Sequence, residues 1–165
     1  MYAEKKLGHE VEEGGAMHYT LAELALMTGY STRSLRTFYR QGLLTGTMAE
    51  GKYFFSEEDL EHFMTQPFIE TGLKTKARMR VQHFLEEEHT RQPSSCLIHD
   101  EPDREQAEQL NRILLEYINR ECQNDVSYNY HFDGKKKMAR FIFIGQTRDL
   151  AAILERIGKS QRISS

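Results

Sequence analysis

One stretch, Thr20 to Ser56, constrains the fold of this chain more than any other, and its centre is the nine residues Ser31-Thr-Arg-Ser-Leu-Arg-Thr-Phe-Tyr39. Ser31 is a strong helix N-cap, because its hydroxyl can accept from an orphan amide two or three residues on, and Gly29 before it supplies a tight turn. A helix is therefore expected from Thr32. Along it Leu35, Phe38 and Tyr39 point one way at helical spacing, while Arg33, Arg36 and Arg40 form a basic row elsewhere. Upstream, Thr20 and Glu23 have the spacing of a capping box in front of an apolar stripe of Leu21, Leu24, Ala25 and Met27 or Thr28, which Gly29 ends. Two short helices joined by a turn of Gly29, Tyr30 and Ser31 make a helix-turn-helix, whose second helix ordinarily enters the DNA major groove.

Beyond Gln41-Gly42 come an apolar Leu43-Leu44, a turn-rich Gly46 to Gly51 and Lys52-Tyr-Phe-Phe55, which together read as a small hairpin, or wing. Ser56-Glu-Glu-Asp59 caps a third helix with acids in its first turn and Leu60, Phe63 and Met64 facing the core. These blocks, Tyr19-Thr-Leu-Ala-Glu-Leu-Ala25, Gly29-Tyr-Ser-Thr-Arg-Ser-Leu-Arg36, Gly42-Leu-Leu44 and Gly51-Lys-Tyr-Phe-Phe-Ser-Glu-Glu-Asp-Leu60, resemble the winged helix of the mercury-resistance-regulator (MerR) family over about residues 18 to 66. The resemblance implies a transcriptional regulator that binds a near-palindromic promoter site in double-stranded DNA as a homodimer. On that basis the expected DNA-binding residues are Thr20, Ser31, Thr32, Arg33, Ser34, Arg36, Thr37, Phe38, Arg40, Lys52 and Tyr53. Two positions depart from the family pattern: Thr37-Phe38 stands where an aromatic pair is usual, and Gly51-Lys-Tyr-Phe54 where the wing usually reads Gly-Tyr-Arg-Tyr.

The net charge of −3 argues against a protein that coats nucleic acid generally, but the distribution is local: residues 31 to 56 carry Arg33, Arg36, Arg40 and Lys52 against Glu50 alone. No apolar run approaches bilayer length and the N-terminus is too acidic for a secretory signal, so a cytoplasmic location and no membrane partner are expected. Cys96 and Cys122 lie far apart with no ligand cluster, which suggests buried thiols rather than a disulfide or a zinc site.

Four segments are expected. Residues 1–17 form an arm without sustained period, 18–72 the winged helix-turn-helix, 73–91 a connecting helix and 92–165 a small α+β domain. The connecting helix should run from Lys74 to Arg91 after a break at Pro67 to Gly72, with Met79, Val81, Phe84 and Leu85 apolar. Its Lys74, Lys76, Arg78 and Arg80 oppose the helix dipole, so they either track phosphate or are solvated. After a linker at Thr90 to Ser95, Cys96 to His99 reads as a strand. Glu101-Pro-Asp103 opens a helix with Ala107, Leu110, Ile113, Leu114, Tyr117, Ile118 and Cys122 in its stripe.

Val126 to Phe132 and Met138 to Ile144 read as strands about an Asp133-Gly134 two-residue turn. Thr147 to Asp149 caps a last helix with Leu150, Ile153, Leu154 and Ile157 inward. The fold class is thus α+β, a MerR-like winged helix followed by a two-layer βαββα module with both helices on one sheet face. Tyr128, Tyr130, Phe132, Phe141 and Phe143 make its hairpin aromatic and leave one face without assigned cover; dimerisation ranks first as its use and a small-molecule effector second. Lys135-Lys136-Lys137 reads as a solvated turn. His99, Asp100, His131 and Asp133 do not converge in sequence, so no metal or other cofactor is expected. No nucleophile–base pair, phosphate loop or acid pair supports catalysis. An excisionase-like architectural protein and a protein-interaction adaptor that no longer binds DNA are the rival readings.

Overall fold

The computed structural model describes residues 18–122 and 125–163; the expected N-terminal arm lies outside the described residues. The described chain is mixed helix and sheet, with six helices and two three-stranded antiparallel sheets. The first sheet joins β1 (Tyr19–Thr20), β2 (Thr47–Ala49) and β3 (Lys52–Phe55) in the order β1-β3-β2. Around it stand α1 (Leu21–Thr28), α2 (Thr32–Arg40) and α3 (Glu57–Thr65). The caps follow local chemistry: the Thr20 and Ser31 hydroxyls each accept from an amide three residues on at 3.1 Å, and Ser56 and Asp59 close a second capping box. Glu50 and Gly51, with φ of 52° and 74°, make the hairpin turn from two left-handed residues, whose twist suits a two-residue hairpin.

The connecting helix differs from expectation. It is α4, Pro67–Glu86, so the expected break at Pro67 to Gly72 is helical: Pro67 occupies the first turn, where a missing N–H costs nothing. Gly72 is an internal close-approach position, since a Cβ there would collide with the Tyr30 hydroxyl. The buried stripe is Ile69, Leu73 and Ala77, whereas Met79 and Leu85 are 65% and 71% exposed. Packing against Tyr30 and the second sheet selects this stripe, which hydropathy alone did not rank.

The second sheet has the order β4-β6-β5, built from β4 (Ser94–Glu101), β5 (Ser127–Asp133) and β6 (Met138–Gln146). The helices α5 (Arg104–Glu121) and α6 (Thr147–Ile163) cover one face. β4 begins inside the expected linker because Ser94 and Ser95 pair with Gln146 and Gly145. The turn after β5 is four residues long, not two: Asp133 pairs with Met138, and its carboxylate accepts from the amides of Lys135 and Lys136, each at 3.0 Å. Ile113 and Leu154, expected inward, are 45% and 53% exposed, whereas the polar Asn111 is wholly buried.

The aromatic sheet face is not the open one. Tyr128 pairs with Phe143 and Tyr130 with Phe141 on the side of α5 and α6, and all four are buried. The free edge of β5 is covered by α1, α3 and α4. One apolar core consequently runs from Leu24 and Phe63 through Leu110 to Phe141. A buried polar seam crosses it. Asn111 donates to the Tyr19 hydroxyl at 3.1 Å and accepts from the Tyr128 hydroxyl, while Tyr19 donates to Glu57 at 2.5 Å and Arg112 donates to the same Glu57 oxygen at 3.1 Å. Burial raises the Glu57 carboxyl above the usual range against the pull of Tyr19 and Arg112.

Candidate nucleic-acid interface

The packed side of α2 holds the helix in place. Leu35 is fully buried, and Phe38 sits edge-on to Tyr30 at 5.1 Å and beside Phe63 at 5.8 Å. Tyr39 meets Tyr53 of the β2–β3 hairpin edge-on at 4.9 Å, so helix and hairpin are set by one aromatic contact. Of the residues expected at DNA, Phe38 and Tyr53 are half-buried and turn their rings to this internal packing.

On the outer side Arg33, Arg36 and Arg40 are all exposed, and among the described residues no carboxylate lies within 4.0 Å of any of them. Arg40 donates only to the Thr37 hydroxyl at 3.4 Å, and that hydroxyl donates to the Arg33 carbonyl at 3.1 Å. No acid occupies the first turn of α2, where Arg33 opposes the helix dipole. The row thus does little for the stability of the helix that carries it. Ser31 and Ser34 bond each other at 3.0 Å at the same end, Thr32 is half-buried there, and Thr20 is committed to its capping box. Lys52 is exposed next to the hairpin turn; it shares a strand face with Phe54, whereas Tyr53 and Phe55 face the other way.

The basic end of α4 is engaged within the fold. Lys74 bridges Glu70 at 3.0 Å and Asp133 at 2.9 Å, and Lys76 lies over the Tyr30 ring at 4.8 Å. Arg80 donates to Ser127 at 2.6 Å, Asn129 at 2.7 Å and the Tyr128 carbonyl at 3.2 Å, capping the β5 edge. Of these four cations only Arg78 is exposed. The phosphate-track reading is thereby corrected for Lys74, Lys76 and Arg80. Apart from Glu70, their partners are far away in sequence, Asp133, Ser127, Tyr128 and Asn129 on β5 and Tyr30 before α2, so local spacing does not reveal them.

His99 faces α5 and α6, whereas His131 and Asp133 occupy the opposite sheet face and Asp100 pairs with Arg140 at 2.7 Å. Burial, then Arg140 and Lys74, depress the His131 imidazole to about 4. The Asp133 and Asp100 carboxylates pull the other way without offsetting it. A cleft lined by Leu60, Met64, Arg104, Glu108, Tyr130 and Phe132 encloses about 10 Å³, the space of one water. Among the described residues no helix is long and apolar enough to cross a membrane. Compared with family models, characterised proteins and solved structures, the chain finds no match.

Proposed function

We propose that this chain is a sequence-specific double-stranded DNA-binding protein with a MerR-like winged helix-turn-helix, a transcriptional regulator that acts as a homodimer on a promoter. The observation that carries the reading is the exposed, carboxylate-free row of Arg33, Arg36 and Arg40 on a short helix pinned from behind by Leu35 and Phe38. Arginine presents a fork of donors that matches the O6 and N7 acceptors of guanine, and its charge also suits phosphate. The hairpin held to the same helix through Tyr39 and Tyr53 carries Lys52 within reach of a flanking backbone. The overall net charge of −3 argues against general coating of nucleic acid and for a local contact.

Selection of genomic fragments on the full chain tests this. Enrichment of a promoter sequence with two related half-sites is expected. Enrichment of a recombination attachment site would reassign the chain to an architectural role, and enrichment of nothing would overturn DNA binding.

A further inference from the structure

We propose that the tip of the β5–β6 hairpin, Lys135-Lys136-Lys137, is a second DNA-contacting site that grips the phosphodiester backbone beside the C-terminal end of α2. The proposal rests on the DNA-binding reading above and adds to it a sequence-independent contact far along the chain. Sequence alone favoured a solvated turn for these lysines; placement and charge balance favour a contact.

Placement follows from the path of α4. At its start the Gln66 side chain donates to the Leu43 carbonyl at 2.5 Å, just past the end of α2. Nearly three turns later Lys76 lies over Tyr30, at the beginning of α2. So α4 runs from the C-terminal end of α2 back to its N-terminal end. Along the same helix Lys74 meets Asp133 and Arg80 meets Ser127, so β5 runs opposite to α4 and its last residue lies toward the C-terminal end of α2. There Thr65 stands 3.5 Å from where a Cβ on Gly134 would be. The tip, Thr65, Gln66 and Leu43 thus form one contiguous surface, and Arg40 is three residues from Leu43.

The charge balance follows from Asp133. Its carboxylate is bonded by Lys74 at 2.9 Å and by the amides of Lys135 and Lys136. Burial alone would raise it, but these donors hold it down at about 2, so it is ionised and already compensated. Lys135, Lys136 and Lys137 are exposed, and among the described residues none has a carboxylate within 4.0 Å. Their three charges point outward from a turn held rigid at its base, which suits a contact with phosphate groups rather than with base edges.

The test measures affinity at several salt concentrations for the full chain on the selected site and on a scrambled duplex of equal length. The variant is K135Q/K136Q/K137N; asparagine is chosen at 137 because the backbone there has φ of 51°, which it tolerates. Each phosphate contact contributes about 0.9 to the slope of log affinity against log salt, so the slope should fall by about two to three units on both duplexes with the preferred bases unchanged. The single variants should each remove about one unit, which guards against a folding defect in the triple. A control, R120Q/R148Q/K159Q on α5 and α6, removes the same net charge and should leave the slope nearly unchanged. An unchanged slope in the tip variant, or an equal fall in the control, overturns the contact while leaving DNA binding by α2 intact. A wild-type chain that binds neither duplex overturns both readings.

Discussion

Asn111 is the residue through which the two halves of the core share hydrogen bonds, and its removal should cost more than its size suggests. It is fully buried, donates to Tyr19 and accepts from Tyr128, which is itself fully buried. In Asn111→Ala the Tyr128 hydroxyl loses its partner in a dry site, at about 1–3 kcal/mol, while Tyr19 keeps Glu57 and loses about 1 kcal/mol. Together the loss is about 3 kcal/mol, and at about 2–4 °C per kcal/mol for a chain of this size the melting temperature should fall by about 6–12 °C. Urea unfolding of wild type, Asn111→Ala, Tyr128→Phe and the double variant isolates the bond. Tyr128→Phe leaves the Asn111 carbonyl unpaired, so the double variant should be better than additive by about 1–2 kcal/mol. Single-variant losses that add to within about 0.5 kcal/mol would refute the seam.

Other consequences are equally specific. Gly72→Ala, which in a free helix interior would gain about 1 kcal/mol, should destabilise by colliding with the Tyr30 hydroxyl, and in a Tyr30→Phe background the sign should reverse because the nearest ring carbon is 3.6 Å away; thermal melts decide this. His131 has a folded value near 4 against an ordinary 6.5, so the unfolded chain binds the extra proton and His131's contribution, complete above pH 6.5, is lost as pH falls towards 4. Between pH 7 and 4.5 wild type should lose about 2–3 kcal/mol more than His131→Gln by urea unfolding, a window in which Asp133, held at about 2, stays ionised. Lys52→Ala should flatten the salt slope of DNA affinity by about one unit without altering base preference; an altered preference would put Lys52 in a groove.

Much of the fold was legible where the signal is local. The caps at Thr20, Ser31 and Ser56, the Leu35–Phe38 stripe and the outward arginines all follow from spacings within one helix, and each is found as expected. What escaped depends on distant partners. Gly72 looks like a breaker until Tyr30 is seen against it, and Asn111 looks like a surface polar residue until Tyr19 and Tyr128 close around it. The cations of α4 looked free because Asp133, Ser127 and Asn129 belong to a strand whose packing against that helix no period in the sequence encodes. Even the side chains of α2 divided in a way that spacing only half reveals: Phe38 and Tyr53 resemble interface residues by position, yet their rings are spent on Tyr30, Phe63 and Tyr39.

The central claim is that Arg33 and Arg36 read DNA from α2, and the most direct measurement is titration of wild type, Arg33→Ala and Arg36→Ala against the selected duplex and its scrambled counterpart at fixed salt. Each substitution should weaken binding to the selected duplex by about 1–3 kcal/mol and narrow its margin over the scrambled one, since a lost base contact affects specific binding first. Equal affinities for all three proteins on the selected duplex would contradict the assignment of α2 to the groove.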